Sequence, residues 1–212
     1  VNNGLVHINN EFKMNLEELE ALAAKPENKL MVLCSPHNPV GRVWTKEELT
    51  AVAEICLKHD VLLVTDEIHA DIVYEGYKHY PLLSLDKRYE ENFILLTAPS
   101  KTFNVAGLKA SMSIIPNKEL REKFEHTQKA MSLDVRNTFG LECVSAAYTD
   151  EGEEWMKQEI AYMQKNVDFL EKFVEEQMPG TKMIRPQGTF LCWLDLSELH
   201  LGDQELFRRV VF

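Results

Sequence analysis

Short apolar runs alternate with amphipathic segments along this chain, and the alternation predicts an α/β fold. Apolar runs at residues 29–34, 61–66 and 93–97 are bounded by polar residues, as in strands buried within a sheet. A capping box that begins at Thr45 predicts a helix from there to about residue 59. A strand, a helix and a strand at this spacing form a βαβ unit, so we expect the strands to be parallel.

The rest of the chain is mainly helical in pattern. Residues 1–15 give weak signals, apart from Asn15, which is expected to cap a helix. A fourth strand is expected at 110–115, helices at 117–131, 139–148 and 151–177, a hairpin-like pair at 182–184 and 189–194, and a last helix from Asp203. The change from long helices to strands predicts two units. Residues 1–150 are expected to be part of a large domain, and residues 151–212 a long helix between domains with an incomplete small α+β domain.

Composition narrows the classes of partner. The 212 residues are 45% apolar and carry a net charge of −11, which argues against nucleic acid, since phosphates require a basic face. No apolar run approaches the length of a membrane span. Four cysteines without a C-x-x-C pair favour a reduced, cytoplasmic setting, and the histidines show no metal-ligand spacing.

Three polar residues follow three of the predicted strands. Asn38 follows the first, Asp66 ends the second and Lys101 follows the third. Ligands of open α/β sheets bind outside the carboxyl ends of the strands, so these side chains are expected at one edge. Taken singly, each has a more ordinary interpretation: a turn amide, a cap and a solvated surface lysine. Taken together, they favour a site.

A carboxylate, an amide and a lysine suit an aromatic aldehyde cofactor with a ring nitrogen. Asp66 would keep that nitrogen protonated, so that the ring withdraws electrons from the substrate. Asn38 is expected at the phenolic oxygen, and His69 at the same oxygen or at Asp66. Ser100 and Lys109 are the candidates for contact with a phosphate, Lys109 as a point charge.

These residues resemble those of pyridoxal 5'-phosphate enzymes of fold type I, the class I/II aminotransferase superfamily. Residues 38–41 match its N-P-x-G loop, Asp66 its pyridine-nitrogen aspartate and Lys101 its Schiff-base lysine, at intervals of 28 and 35 residues. The resemblance covers nearly the whole chain. It implies a three-layer αβα fold with a mostly parallel sheet, a pyridoxal phosphate cofactor, and Lys101 as the catalytic lysine that also removes the substrate α-proton.

The chain is most similar to one branch of that superfamily. Most aminotransferases carry Tyr three residues after the aspartate, whereas this chain has His69, and residues 36–44, 100–104 and 152–155 also resemble the C–S β-lyase branch. That branch, which includes cystathionine β-lyase and cystalysin-like enzymes, converts cysteine-type substrates to pyruvate, ammonia and a thiol. An aminotransferase and a non-catalytic module that keeps the fold are the alternatives.

The chain also departs from the family pattern. Ala98 and Lys109 stand where many relatives have a phosphate-binding Ser and Arg, so Ser100 is the main phosphate candidate. Family chains are nearly twice as long, which predicts that this sequence is a fragment without the phosphate loop and the carboxylate-binding arginine. We expect the fragment alone to be weak or inactive. The resemblance implies a homodimer when the chain is full length and a small amino acid as substrate.

Overall fold

A computed structural model describes residues 1–8 and 11–211. The strands in that part of the chain are β1 (Leu5–Ile8), β2 (Glu11–Met14), β3 (Leu30–Cys34), β4 (Leu62–Asp66), β5 (Phe93–Thr97), β6 (Met112–Ile114), β7 (Lys182–Ile184) and β8 (Trp193–Asp195). The α-helices are α1 (Leu16–Ala23), α2 (Lys46–Lys58), α3 (Lys118–Ala130), α4 (Thr138–Ala147), α5 (Asp150–Gln177) and α6 (Asp203–Val211). These bounds confirm the predicted order of strands and helices from Asn15 onward.

A four-stranded sheet in the order β3-β4-β5-β6 forms the centre of the fold. The first three strands are parallel, as predicted from the βαβ spacing, and β6 runs antiparallel to β5. Cys34 pairs with Asp66, and Asp66 pairs with Leu96, so β3, β4 and β5 end nearly level with one another. Their carboxyl ends therefore form one edge, which bears the predicted site.

Two capped helices pack on one face of this sheet. The Asn15 side chain accepts a hydrogen bond from the Glu18 N–H at 3.1 Å and begins α1. Thr45 and Glu48 form both bonds of the predicted capping box at the start of α2. The apolar residues of α1 and α2 and the alternate residues of the strands beneath them form the main core, which includes Leu19, Leu33, Leu49, Val52, Ala53, Cys56, Leu63 and Phe93.

The other face of the sheet is much less covered within the described part of the chain. Leu30 is 54% exposed and Val32 is 63% exposed, whereas Leu33, the residue after Val32, is buried. Because side chains alternate along a strand, Asp66 points to the same face as its neighbour Val64 two residues earlier. The candidate aspartate thus lies on the face opposite α1 and α2.

A second apolar cluster lies beneath the long helix α5. The predicted stripe on α5 is confirmed, with Val167 and Val174 buried and three further apolar residues partly buried beside them. The stripe packs against Met183 of β7 and against Tyr74, which belongs to the loop that follows β4. Tyr74 therefore ties the second cluster to the part of the chain that carries the candidate site.

The structure differs from the sequence-based expectation at two places. Strands β1 and β2 form an antiparallel pair in a region that gave only weak signals, because each strand is four residues long and its side chains are mostly not buried. The partner of β7 is β8 at Trp193–Asp195, and residues 189–192 are not a strand. Thr189 has a positive φ of 68° and donates its N–H to Ile72 O, which takes this part of the chain away from β7.

The sheet core yields a test of the fold. Leu63 is 0% exposed, so Leu63→Ala should leave a cavity and lower the free energy of unfolding by about 2 to 5 kcal/mol. Val32→Ala is the matched control, because Val32 lies on the neighbouring strand and is 63% exposed. It should change the free energy of unfolding by about 0.5 kcal/mol or less. Urea unfolding measures both values. Equal losses in the two variants would contradict the assignment of the buried face.

Candidate active site

The loop after β3 brings Asn38 next to the end of β4. The Asn38 N–H donates to Cys34 Sγ at 3.4 Å, and Cys34 is the register partner of Asp66. Asp66 Oδ1 accepts a hydrogen bond from the Ile68 N–H at 3.2 Å, which fixes the carboxylate at the start of the following turn. Asn38 and Asp66 therefore lie at adjacent strand ends, as the sequence predicts.

His69 lies in the turn after β4 and is the most enclosed of the candidate side chains. It is 1% exposed, and its Nδ1 atom has no hydrogen-bond partner among residues 1–8 and 11–211. Burial lowers the pKa of the His69 imidazole, while the Asp66 carboxylate raises it and the Lys101 ammonium lowers it further. His69 is thus close enough for both charges to affect its pKa. Burial favours the neutral form of the imidazole.

Lys101 is presented by a tight turn after β5. The Phe103 N–H donates to Pro99 O at 2.9 Å, and the Val105 N–H donates to Ser100 O at 3.1 Å. Lys101 is half-buried within this turn. The amine is therefore partly shielded from water at the strand end, which is the position predicted for it.

Phe190 lies beside the candidate residues, although no pattern in the sequence predicted it there. Its ring centroid lies 5.9 Å from Lys101 Nζ and 5.3 Å from the centroid of the His69 imidazole. The preceding residue is fixed, since Tyr74 Oη donates to Thr189 O at 2.8 Å. Phe190 comes from a segment 89 residues beyond Lys101, and only the folded chain brings the two together. The Phe190 ring therefore covers one side of the Lys101 amine.

The two phosphate candidates occupy different surroundings. Ser100 is half-buried in the turn next to Lys101. Lys109 is exposed, adopts a left-handed φ of 54° and follows a short 3-10 turn at Ala106–Leu108. No hydrogen bond or ion pair in the described part of the chain joins the Lys109 side chain to the other candidates. The geometry therefore groups Ser100 with Lys101 and leaves Lys109 apart.

A buried arginine anchors the loop that bears Asn38. Arg42 is 6% exposed and donates to Glu11 Oε1 at 2.5 Å, to both Glu48 oxygens at 2.6 and 2.8 Å, and to Gln187 Oε1 at 2.9 Å. Its partners come from β2, from α2 and from the segment that leads to Phe190. A buried charge that lost these partners would be strongly destabilising, so the network fixes the loop against three other parts of the chain.

Glu67, next to Asp66, is also buried and fully engaged. Glu67 Oε1 accepts from Thr65 Oγ1 at 3.1 Å and from the Leu82 N–H at 3.0 Å, and Oε2 lies 2.7 Å from His79 Nε2. The Glu67 N–H donates to Leu96 O at 2.8 Å. These bonds fix the backbone immediately after Asp66, and they leave Glu67 with a structural role.

Residues 1–8 and 11–211 contain neither a metal-ligand cluster nor a membrane-spanning helix. No group of three or more His, Cys, Asp or Glu side chains there could bind a metal ion. No helix in the same part of the chain combines the length and apolar character that crossing a membrane requires. The four cysteines, which lie in that part, are free.

The chain is similar in sequence and in structure to several known proteins. The chain is 38% identical over 211 residues to cystathionine beta-lyase PatB of Bacillus subtilis, covering 100% of this chain and 54% of that protein. Cystalysin from Treponema denticola, whose crystal structure contains pyridoxal 5'-phosphate, matches 100% of the chain with a TM-score of 0.96 and 34% identity, over 53% of its own chain. A PLP-bound protein from Clostridium difficile, provisionally described as an aminotransferase, matches 100% of the chain with a TM-score of 0.95 and 39% identity, over 54% of its own chain.

The fold is therefore the three-layer αβα fold, with a mostly parallel sheet, of pyridoxal-phosphate enzymes of fold type I. Within that class, the family described as aminotransferase class I and II matches residues 4–211, and the chain belongs to this family. The resemblance read from the sequence is confirmed. The chain spans about half the length of the relatives it matches.

The buried His69 gives a pH-dependent prediction. Because burial lowers its pKa in the folded state, the unfolded chain takes up the proton first as the pH falls below about 6.5. The free energy of unfolding should therefore decrease as the pH falls from about 7.5 to about 5, and it should decrease less in His69→Asn. Urea unfolding at a series of pH values measures the difference. Parallel pH profiles for the two proteins would contradict a lowered pKa.

Proposed function

We propose that the protein to which this chain contributes is a pyridoxal-phosphate-dependent C–S β-lyase. The substrates would be cystathionine or similar cysteine-type amino acids, and the products pyruvate, ammonia and a thiol. The observation that carries the proposal is the convergence of Asp66, His69 and Lys101 at one sheet edge, where His69 is influenced by both of the others. The similarity to relatives described as cystathionine beta-lyase and C–S lyase supports the reaction type.

The residues present suit the cofactor. His69 has a buried Nδ1 without a partner in the described residues, so a polar atom of a ligand would satisfy it. Asp66 lies half-buried on the open face of the sheet and matches the acid that a ring nitrogen requires. When bound, pyridoxal phosphate supplies an electron sink for negative charge at the substrate α-carbon. The chain supplies the groups that hold it and that move protons.

Each candidate residue has a proposed role. Lys101 would hold the cofactor covalently through Nζ, and Asp66 would keep a proton on the ring nitrogen. Asn38 and His69 would contact the phenolic oxygen. Ser100 would donate to the phosphate, a role that its place beside Lys101 supports.

Lys109 is the least supported of the proposed cofactor contacts. Its side chain is exposed and its residue follows the 3-10 turn, away from the contacts that join His69, Lys101 and Phe190. A long lysine side chain can act as a mobile point charge, so an outer electrostatic contact with the phosphate is the role that fits it.

Lys101 would also move the reacting proton. With its amine free, Nζ takes the α-proton of the substrate as a general base. The bond between the β-carbon and sulfur then breaks, and its electron pair leaves with sulfur, which is protonated to a thiol. Water hydrolyses the remaining three-carbon unit to pyruvate and ammonia. Phe190 covers one side of Nζ and would limit the access of water to it.

An aminotransferase is the main alternative, because it requires the same lysine, aspartate and amide. It is favoured by the family to which the chain belongs and by one of the similar structures. His69, in the place where most aminotransferases have tyrosine, favours the lyase. A non-catalytic module that keeps the fold is the third alternative. A Lys101→Ala variant that keeps the biological effect of the protein would support it.

We further propose how the chain is organised and where it acts. Residues 1–150 would be part of the large cofactor-binding domain, and residues 151–212 the long helix and an incomplete small domain. The separate apolar clusters beneath α2 and α5 support this division. A homodimer of full-length chains, a small amino-acid substrate and a cytoplasmic location complete the proposal, and the free cysteines support the last of these.

Cofactor attachment tests the central assignment. Pyridoxal phosphate mixed with the protein should give an absorbance change, and borohydride reduction should fix the adduct at Lys101. Lys101→Ala should abolish the adduct, whereas Lys118→Ala, which removes a lysine whose side chain is 79% exposed, should leave it unchanged. Peptide mapping locates the modified residue. A wild-type adduct on another lysine would overturn the role of Lys101.

Reaction products separate the lyase from the aminotransferase. A protein that contains this chain at the full length of its relatives should release pyruvate from cystathionine without an α-keto acid acceptor. Lys101→Ala should lower the rate by a factor of about 10⁴ or more, since it removes both the cofactor anchor and the base. Pyruvate and amino-acid products are measured with and without the acceptor. Turnover that requires the acceptor would favour the aminotransferase.

A further inference from the structure

We propose that Thr102 and Asp71 form a positioning pair that fixes Lys101 relative to Asp66 and His69. Thr102 follows Lys101 directly and is 0% exposed. Its Oγ1 donates to Asp71 Oδ2 at 2.8 Å, across a sequence separation of 31 residues. The bond therefore joins the turn that bears Lys101 to the turn that bears His69.

The other hydrogen bonds of the lysine turn are local. The Phe103 and Val105 N–H groups donate to Pro99 O and Ser100 O, within the turn itself. Such bonds define the shape of the turn, but they do not fix it against the segment that follows Asp66. The bond from Thr102 to Asp71 supplies that connection, and its carboxylate acceptor makes it stronger than a bond between neutral groups.

The hydrogen bond between Thr102 and Asp71 is shielded from water on the Thr102 side. The Thr102 hydroxyl is enclosed, and the Asp71 carboxylate also contributes to raising the pKa of Tyr148, to about 12, after the larger effect of burial. Phe103, on the other side of Thr102, packs edge-on to Tyr148 with ring centroids 5.7 Å apart. Asp71 therefore lies close enough to Tyr148 to influence its pKa, and the lysine turn contacts the same tyrosine through Phe103.

Threonine suits this position for two reasons. Its β-branched side chain restricts the χ1 angle and so fixes the direction of the hydroxyl. A hydroxyl buried without an acceptor would be costly, and Asp71 provides that acceptor. In the described part of the chain, neither Thr102 nor Asp71 has a hydrogen bond or ion pair with Lys101 Nζ, so the pair acts on Lys101 through the backbone.

The test compares three variants with the wild type, each prepared without cofactor. Thr102→Val keeps the shape and removes the hydroxyl, Thr102→Ser keeps the hydroxyl, and Asp71→Asn keeps an acceptor oxygen without the charge. The first readout is hydrogen exchange of the Phe103 and Val105 amides without cofactor. The Glu67 amide, bonded to Leu96 O, is the internal reference. The second readout is the rate at which pyridoxal phosphate forms its adduct at Lys101.

We expect Thr102→Val to increase exchange at the Phe103 and Val105 amides about tenfold and to slow the adduct by about 10- to 100-fold, as expected for a displaced reactive group. The reference amide should not change, Thr102→Ser should approach the wild type, and Asp71→Asn should be intermediate. Equal behaviour of Thr102→Val and the wild type would overturn the proposal. So would an equal loss in the valine and serine variants, or faster exchange at the reference amide, which would indicate general destabilisation.

This inference rests on the proposed function only in its second readout, the rate of adduct formation at Lys101. Hydrogen exchange in the cofactor-free protein decides whether Thr102 fixes the lysine turn, whatever the reaction is. If the wild type forms no adduct at Lys101, the proposed function fails, and the exchange data still confirm or overturn the pair.

Discussion

The parallel register of β3, β4 and β5 is the constraint on which the candidate site depends. Cys34 pairs with Asp66 and Asp66 with Leu96, so three strands reach the same edge together. The residues that follow each strand are then neighbours, although 28 and 35 residues separate Asn38, Asp66 and Lys101 along the chain. A shift of one residue in β4 would move Asp66 to the face that packs against α1 and α2. Burial of Leu63 and Phe93 on that face prevents such a shift.

Register alone does not fix the loops beyond the strand ends. Three buried polar groups, Arg42, Glu67 and Thr102, connect those loops to other segments. Burying a charge or a hydroxyl is unfavourable unless hydrogen bonds replace those lost to water, so each group stabilises only one arrangement of its partners. The apolar core sets where the sheet lies, and the polar network sets how the site loops lie on it. Conformational specificity at the site follows from this division.

Local patterns in the sequence are sufficient for much of the fold. The Thr45 capping box and the buried strands were predictable, because each depends on residues close together in the chain. Phe190 was not, because its contact with Lys101 requires a chain reversal far along the sequence and a left-handed Thr189. The hydrogen bond from Thr102 to Asp71 was not predictable either, because the two residues are 31 positions apart in the sequence. Periodicity describes which side chains are buried, and it does not describe which distant polar atoms meet.

His69 shows how environment determines the chemistry that a residue can perform. A tyrosine in this turn would donate and accept at one oxygen, whereas a neutral imidazole donates at one nitrogen and accepts at the other, on opposite sides of the ring. Burial lowers the pKa of His69 and so favours its neutral form, and the nearby Asp66 and Lys101 shift that pKa in opposite directions. If Nδ1 receives a polar ligand atom, the tautomer is fixed by that contact. The charges of Asp66 and Lys101 then act on the same imidazole that receives the ligand atom.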